Sequence, residues 1–170
     1  MKLICALHGS PPHPTDTVHM TATFVRRLIL QWSTTTLEVA ASFDPYLSQI
    51  YSLINAYNPT TIYLVSTYSD DVDSRIETLR KALISKGIRP PIFVVARVNP
   101  QNLEQTIKAI KDSVSRADIV CISGDHAILC AALAMEATKQ RKTICYVIDN
   151  RPIEERMRNP FQDLKVVSLS

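Results

Sequence analysis

Residues 118–137, which read DIVCISGDHAILCAALAMEA, decide the fold of this chain. The first apolar run, 119–122, is short and rich in β-branched side chains, which is typical of a buried strand. The second run, 127–137, is apolar on nearly every side, as in a helix that packs against a sheet. Polar residues at 123–126 separate the two runs. We therefore predict a strand, a tight turn and a buried helix.

The turn formed by Ser123, Gly124, Asp125 and His126 is a candidate ligand site. In an open parallel sheet, ligands bind outside the carboxyl ends of the strands, where a helix N-terminus offers N–H groups to an anion. On that interpretation, Gly124→Val is expected to block binding and leave the fold intact. A purely structural turn, with Gly124 at positive φ and Asp125 capping the helix, fits these residues equally well.

The composition indicates one globular domain, with a core at 1–150 and a tail at 151–170. The chain has 170 residues, 46% of them hydrophobic, which is enough for an ordinary core. Its four cysteines lie in apolar stretches without CxxC pairs, which predicts reduced thiols and a cytoplasmic location. No apolar run has the length of a membrane span, and no signal peptide is recognisable. A net charge of +3 without charged blocks argues against duplex nucleic acid as a partner.

Strand and helix patterns alternate between Pro45 and Ile148. Such units join as right-handed parallel crossovers, so the predicted fold class is α/β: a Rossmann-like, mostly parallel central sheet flanked by helices. Pro45 is placed in the first turn of a helix. The segment from Ile153 is charged and predicted to be mobile, and 164–169 is predicted to add an edge strand. The other predicted strands are 61–66, 92–98, 119–122 and 143–148, and the other helices run to Gly87, through 103–114 and through 127–137.

The segment before Pro45 permits more than one assignment. Residues 2–7 predict a first strand, and alternation of apolar and polar residues at 17–39 favours a β-hairpin insertion after it. A single helix at 16–32 is the rival interpretation, because apolar residues between 25 and 32 recur at helical spacing.

Two further loops follow predicted strands and are candidate ligand loops. His8, Gly9 and Ser10 open a proline-rich loop, which is either a ligand loop or a rigid surface loop. The second loop, with Ser66, Thr67 and Tyr68, follows the strand 61–66.

Several common chemistries are excluded by the sequence. It has no GxGxxG or P-loop motif, and three glycines are too few to wrap a pyrophosphate, so we expect no nucleotide cofactor. No two of the four histidines have the i, i+4 spacing of a helical metal pair, so no metal site is predicted. Ser10 and His126 are a conceivable nucleophile and base, but no GxSxG elbow is present and the acidic third member is undefined.

Four segments together resemble the CRISPR-associated Rossmann-fold (CARF) sensor domains, and the likeness runs from Met1 to about Asn150. That family's last motif commonly reads Asp-x-Thr-Gly-Gly-Thr-Lys. Ser123 and Gly124 match its Thr-Gly, whereas Asp125, His126 and Ala127 stand in place of Gly, Thr and Lys. The segments are YNPTTIYLVST at 57–67, RIETLRKALISKGI at 75–88, IFVVARVNPQNLEQTIKAI at 92–110 and DIVCISGDHAILCAALAMEATKQRKTICYVI at 118–148.

The resemblance implies a homodimer whose strand-end loops form a groove for a cyclic oligoadenylate on the two-fold axis. It further implies a metal-independent ring nuclease that ends type III CRISPR signalling, with Ser10, Ser123 and His126 in the catalytic roles. Two alternatives stay open: a non-catalytic sensor that acts through a separate partner, and an unrelated small-molecule enzyme on the same scaffold. The implied ligand-binding residues are His8, Gly9, Ser10, Ser66, Thr67, Tyr68, Ser123, Gly124, Asp125 and His126.

Overall fold

The structure is a computed structural model that describes residues 36–169. Within these residues, six strands form one sheet, and helices cover both of its faces. The strands are β1 (Glu38–Ser42), β2 (Thr61–Thr67), β3 (Ile92–Val98), β4 (Ile119–Cys121), β5 (Thr143–Ile148) and β6 (Lys165–Leu169). The helices are α1 (Ser48–Tyr57), α2 (Val72–Ser85), α3 (Leu103–Arg116), α4 (Ala127–Lys139) and α5 (Ile153–Arg158).

The strand order is β3-β2-β1-β4-β5-β6. Neighbouring strands from β3 to β5 are parallel, and β6 runs antiparallel to β5. This architecture confirms the Rossmann-like α/β class and the added edge strand. The chain builds the sheet in one direction from β1 to β3 and in the other from β4 to β5, so the order reverses between β1 and β4. The carboxyl ends of these two strands are therefore the place where the fold leaves a crevice for a ligand.

The two faces of the sheet are closed by different helix pairs. Helices α1 and α2 cover one face with side chains such as Leu53 and Leu79, and α3 and α4 cover the other with Ile110 and Leu133. Strand β2 is buried along its whole length, as its run of apolar residues predicts for a parallel sheet with both faces covered.

Most predicted element bounds agree with the structure to within a few residues. The strands 92–98 and 143–148 have the predicted bounds, and the helix that was expected to close at Gly87 does so with a positive φ of 70°. The placement of Pro45 in a helix is wrong, because α1 begins only at Ser48. Asp44 accepts hydrogen bonds from the backbone N–H groups of Tyr46 and Gln49, and these bonds hold Pro45 in a turn before the helix.

The N-terminal predictions fall mainly on residues that the structure does not describe. The strand at 2–7, the loop with His8, Gly9 and Ser10, and residues 17–35 of the hairpin or helix lie outside the described part of the chain. Residues 38 and 39 of the predicted hairpin belong instead to the central strand β1. That strand has parallel partners on both edges, β2 and β4, so neither edge is left for an antiparallel hairpin strand.

The tail contains a helix that the sequence analysis did not predict. The segment from Ile153 forms the short helix α5. Arg151 fixes the turn before it by hydrogen bonds to Asp149, Ser48 and the carbonyl of Asn159. Among residues 36–169, no helix is both long and apolar enough to cross a membrane.

Candidate functional site

The candidate site lies at the carboxyl edge of the sheet, where the order of strands reverses. The β4–α4 turn is at its centre, the β2–α2 loop lies on one side, and the loops after β1 and β5 lie on the other. Two of the three ligand loops that the sequence predicts therefore meet in the structure. The third, with His8, Gly9 and Ser10, is outside the described residues.

Gly124 packs directly against the central strand. Its φ is +150°, and a Cβ atom built on it would lie 3.0 Å from Ser42 Oγ, 3.1 Å from Ser42 Cβ and 3.4 Å from Cys130 Sγ. Side chains rarely tolerate such a backbone conformation, and the space is already occupied. Both reasons require glycine here. The expectation that Gly124→Val leaves the fold intact is therefore wrong.

Ser123 connects the turn to its neighbours. Its side chain is buried, its Oγ accepts a hydrogen bond from Val147 N at 2.6 Å, and its carbonyl accepts one from Gln49 Nε2 at 2.8 Å. The hydroxyl thus joins the end of β4 to β5. The catalytic role of Ser123 stays a prediction, and these contacts favour a structural role.

His126 occupies the N-cap position of α4, which corrects the interpretation of Asp125 as the capping residue. The His126 side chain makes no capping hydrogen bond to the first helical turn. N–H groups at the start of this 13-residue helix therefore receive no cap from the N-cap side chain, and the helix dipole favours an anion there. The imidazole is 41% exposed, and its Nε2 lies 3.9 Å from Asp70 Oδ1 in the β2–α2 loop.

The β2–α2 loop presents its predicted residues in different ways. Ser66 is fully buried, and its hydroxyl has no hydrogen-bond partner in the described structure. Thr67 is also buried, and its backbone N–H donates to Asp70 Oδ2 at 2.7 Å. Tyr68 is 72% exposed. Of these three side chains, only Tyr68 is open to a ligand in the observed conformation.

A polar cleft of about 120 Å³ opens on the other side of the turn. It contains three carboxylates and one guanidinium that the sequence analysis did not single out as a group: Asp44, Asp125, Asp149 and Arg156. Arg156 donates from Nε to the carbonyl of Arg151 and from Nη2 to that of Asp149, both at 3.0 Å. Its Nη1 lies 3.8 Å from Asp125 Oδ1. Arg156 therefore links the tail to the β4–α4 turn.

The two more buried carboxyls of this cleft have opposite electrostatic environments. Burial raises the pKa of Asp44, although the N–H groups of Gln49 and Tyr46 oppose this effect. The hydrogen bonds from Arg151 lower the pKa of Asp149. The carboxylates leave this side of the turn rich in acceptors, whereas the α4 side offers N–H groups.

Sequence reasoning missed Asp44 and Arg156 for specific reasons. Asp44 lies two residues after the run LEVAAS at 37–42. The buried character of this run is that of a strand in the central sheet, but its first residues were assigned to the hairpin insertion. Arg156 lies in the tail, where Pro152, the acidic residues 154–155 and the basic residues 156 and 158 are in the order expected for a short helix.

No protein-family model matches the chain, and no curated protein matches it significantly in sequence. Solved structures do share its fold. Can2 from Sulfobacillus thermosulfidooxidans, solved in complex with cyclic tetra-adenylate, superposes with a TM-score of 0.55 at 18% identity over 65% of this chain and 32% of Can2. Protein VC1899 from Vibrio cholerae superposes with a TM-score of 0.50 at 12% identity over 66% of this chain and 30% of its own.

The chain thus spans about a third of the length of either protein. At these identities the likeness concerns the fold alone. The described part of this chain is a Rossmann-like α/β domain of the kind that Can2 and VC1899 contain.

Proposed function

We propose that this chain binds a cyclic oligoadenylate at the carboxyl edge of its sheet, in a groove completed by a second copy. The observation that carries the proposal is the β4–α4 turn, where Gly124 lies against β1 and the α4 N-terminus has no side-chain cap from His126. Can2, which shares the fold, was solved with cyclic tetra-adenylate, and this lends support. A ring with two-fold symmetry suits an isologous pair of such edges.

The charges around the turn suggest how the ring is oriented. Phosphates are expected on the α4 side, where N–H groups and the His126 imidazole can donate to them. Asp44, Asp125 and Asp149 would repel a phosphate on the other side, but their oxygens can accept hydrogen bonds from adenine amino groups. Tyr68, exposed at the loop tip, offers a surface on which a base can stack.

We further propose that bound rings are cleaved without a metal, which would end type III CRISPR signalling. Cleavage requires a ribose 2′-hydroxyl held in line with the adjacent phosphorus and a group that transfers its proton. We assign this transfer to His126, whose imidazole is half-exposed at the edge of the turn. Ser10 remains a second candidate that lies outside the described residues.

The second candidate function is a non-catalytic sensor. It is favoured by Ala127, which occupies the position of the family's lysine, and by the Ser123 hydroxyl, which already accepts a hydrogen bond from Val147. In that case the chain would hold the ring intact and act through a separate partner.

Incubation of the purified protein with cyclic oligoadenylates of several ring sizes, followed by chromatography, tests both functions. Linear products indicate a ring nuclease, and intact ring that co-elutes with the protein indicates a sensor. The control is a linear oligoadenylate of equal length, which carries the same kind of charges but lacks the ring. Absence of binding to every ring would contradict the proposal and favour an unrelated small-molecule enzyme on this scaffold.

A further inference from the structure

We infer that Asp70 is a positioning residue that orients the His126 imidazole for proton transfer. The inference rests on the proposed function and deepens it, because it assigns a partner to the proposed general acid or base. Asp70 belongs to the β2–α2 loop and His126 to the start of α4, so only the fold brings them together. Their side chains approach to 3.9 Å between Asp70 Oδ1 and His126 Nε2.

The Asp70 carboxylate is held by one hydrogen bond, and Arg97 holds the backbone of the same loop. Its Oδ2 accepts the Thr67 N–H at 2.7 Å, and its side chain is only 16% exposed. Arg97 Nη1 donates to the carbonyl of Asp70 at 3.2 Å and to that of Thr67 at 3.5 Å. One carboxylate oxygen thus fixes the loop, and the other is directed to the imidazole.

This arrangement can determine which ring nitrogen of His126 acts on a substrate. A carboxylate next to Nε2 favours a proton on that nitrogen, and Nδ1 is then left as an acceptor for a ribose hydroxyl. The separation of 3.9 Å is longer than a hydrogen bond. A small rotation of the imidazole would bring the two atoms within hydrogen-bond distance, and catalytic contacts commonly tighten when the substrate binds.

The decisive variant is Asp70→Asn. The Asn oxygen can still accept the Thr67 N–H, so the loop keeps its anchor while the charge that faces His126 is lost. The matched control is Asp73→Asn, a change of the same kind three positions along the chain. Asp73 is 88% exposed and contacts Arg97 at 3.3 Å, not His126.

Two readouts are compared in these variants. In ¹⁵N NMR spectra, with the His126 signals identified by their loss in His126→Gln, Asp70→Asn is expected to change the balance of the two ring tautomers. With a cyclic oligoadenylate as substrate, it is expected to lower kcat by up to about 100-fold and leave KM within about twofold, because a misoriented group slows the chemical step. Asp70→Glu is expected to restore part of the rate. Asp73→Asn is expected to change neither readout.

The spectral readout keeps the inference separate from the proposed function. If Asp70→Asn leaves the His126 tautomers unchanged, the inference is overturned, whatever the protein does to a ring. If the tautomers change but wild-type protein cleaves no cyclic oligoadenylate, the orientation of His126 by Asp70 is supported and the nuclease proposal fails. Should Asp70→Asn not fold, Asp70→Ser, whose hydroxyl can accept the Thr67 N–H, undergoes the same spectral test.

Discussion

Replacing Gly124 with alanine is expected to destabilise the protein substantially, because the site and the core meet at this residue. The added Cβ would lie 3.0 Å from Ser42 Oγ and 3.1 Å from Ser42 Cβ, on a strand with neighbours on both sides. Strand β1 cannot retreat without disturbing β2 and β4. The turn must move instead, and it carries the N-terminus of α4 with it.

The expected magnitude follows from two contributions. A non-glycine residue held at a φ of +150° costs about 1–3 kcal/mol, and an extra methyl group in a packed interior costs about 1–3 kcal/mol. A total of about 3 kcal/mol would lower Tm by about 6–12 °C in a chain of this size.

Gly87→Ala is the control, because it places an alanine at a positive φ without a steric contact. Gly87 also has a positive φ, 70°, but nothing lies within 4 Å of the place that an added Cβ would occupy. Gly87→Ala therefore carries only the backbone cost of the left-handed α region, and both variants share the same loss of unfolded-chain entropy. The free energy of unfolding, measured in urea, is expected to fall about 1–3 kcal/mol further for Gly124→Ala than for Gly87→Ala.

Ser42→Ala in the Gly124→Ala background should recover part of this loss, because it removes the 3.0 Å contact and leaves the one at 3.1 Å. On its own, Ser42→Ala removes a buried hydroxyl without a hydrogen-bond partner in the described structure and should not destabilise the protein. Equal stability of Gly124→Ala and Gly87→Ala would refute the reasoning, since it would mean that the turn does not press on β1.

Three other predictions concern the mechanism, one ion pair and the assembly. His126→Ala is expected to slow ring cleavage by about 100-fold with binding retained, as measured by product chromatography and calorimetry; an unchanged rate would remove His126 from the mechanism. Arg151 lowers the pKa of Asp149, so this pair contributes stability that is fully present above about pH 4 and is lost as the pH falls through the lowered pKa. Asp149→Asn should therefore reduce Tm at neutral pH and flatten its decline in acid, and parallel Tm curves would contradict this. The protein is expected to be a homodimer by light scattering, because one sheet edge supplies half of a symmetric groove, and a monomer with and without ring would count against the cyclic ligand.

Local sequence patterns determined the elements of this protein wherever the pattern was strong. Two strands, 92–98 and 143–148, and helix α3 could be predicted from their apolar residues alone. The spacing of the apolar residues indicates whether one face or both faces of an element are buried. The Ser123–Gly124 turn was located in the same way, since the polar break falls between a strand run and a helix run. Alternation of such elements also determined the fold class.

Only the tertiary structure decided which strand is central and which side chains share the site. The run at 37–42 looks like either a hairpin strand or a buried strand until its partners are known, and the structure places it between β2 and β4. The approach of His126 to Asp70 and of Arg156 to Asp125 likewise depends on strand order and on the path of the tail. Periodicity describes what each segment buries but not which segment lies next to it, and for that reason the partners of the site residues had to come from the fold.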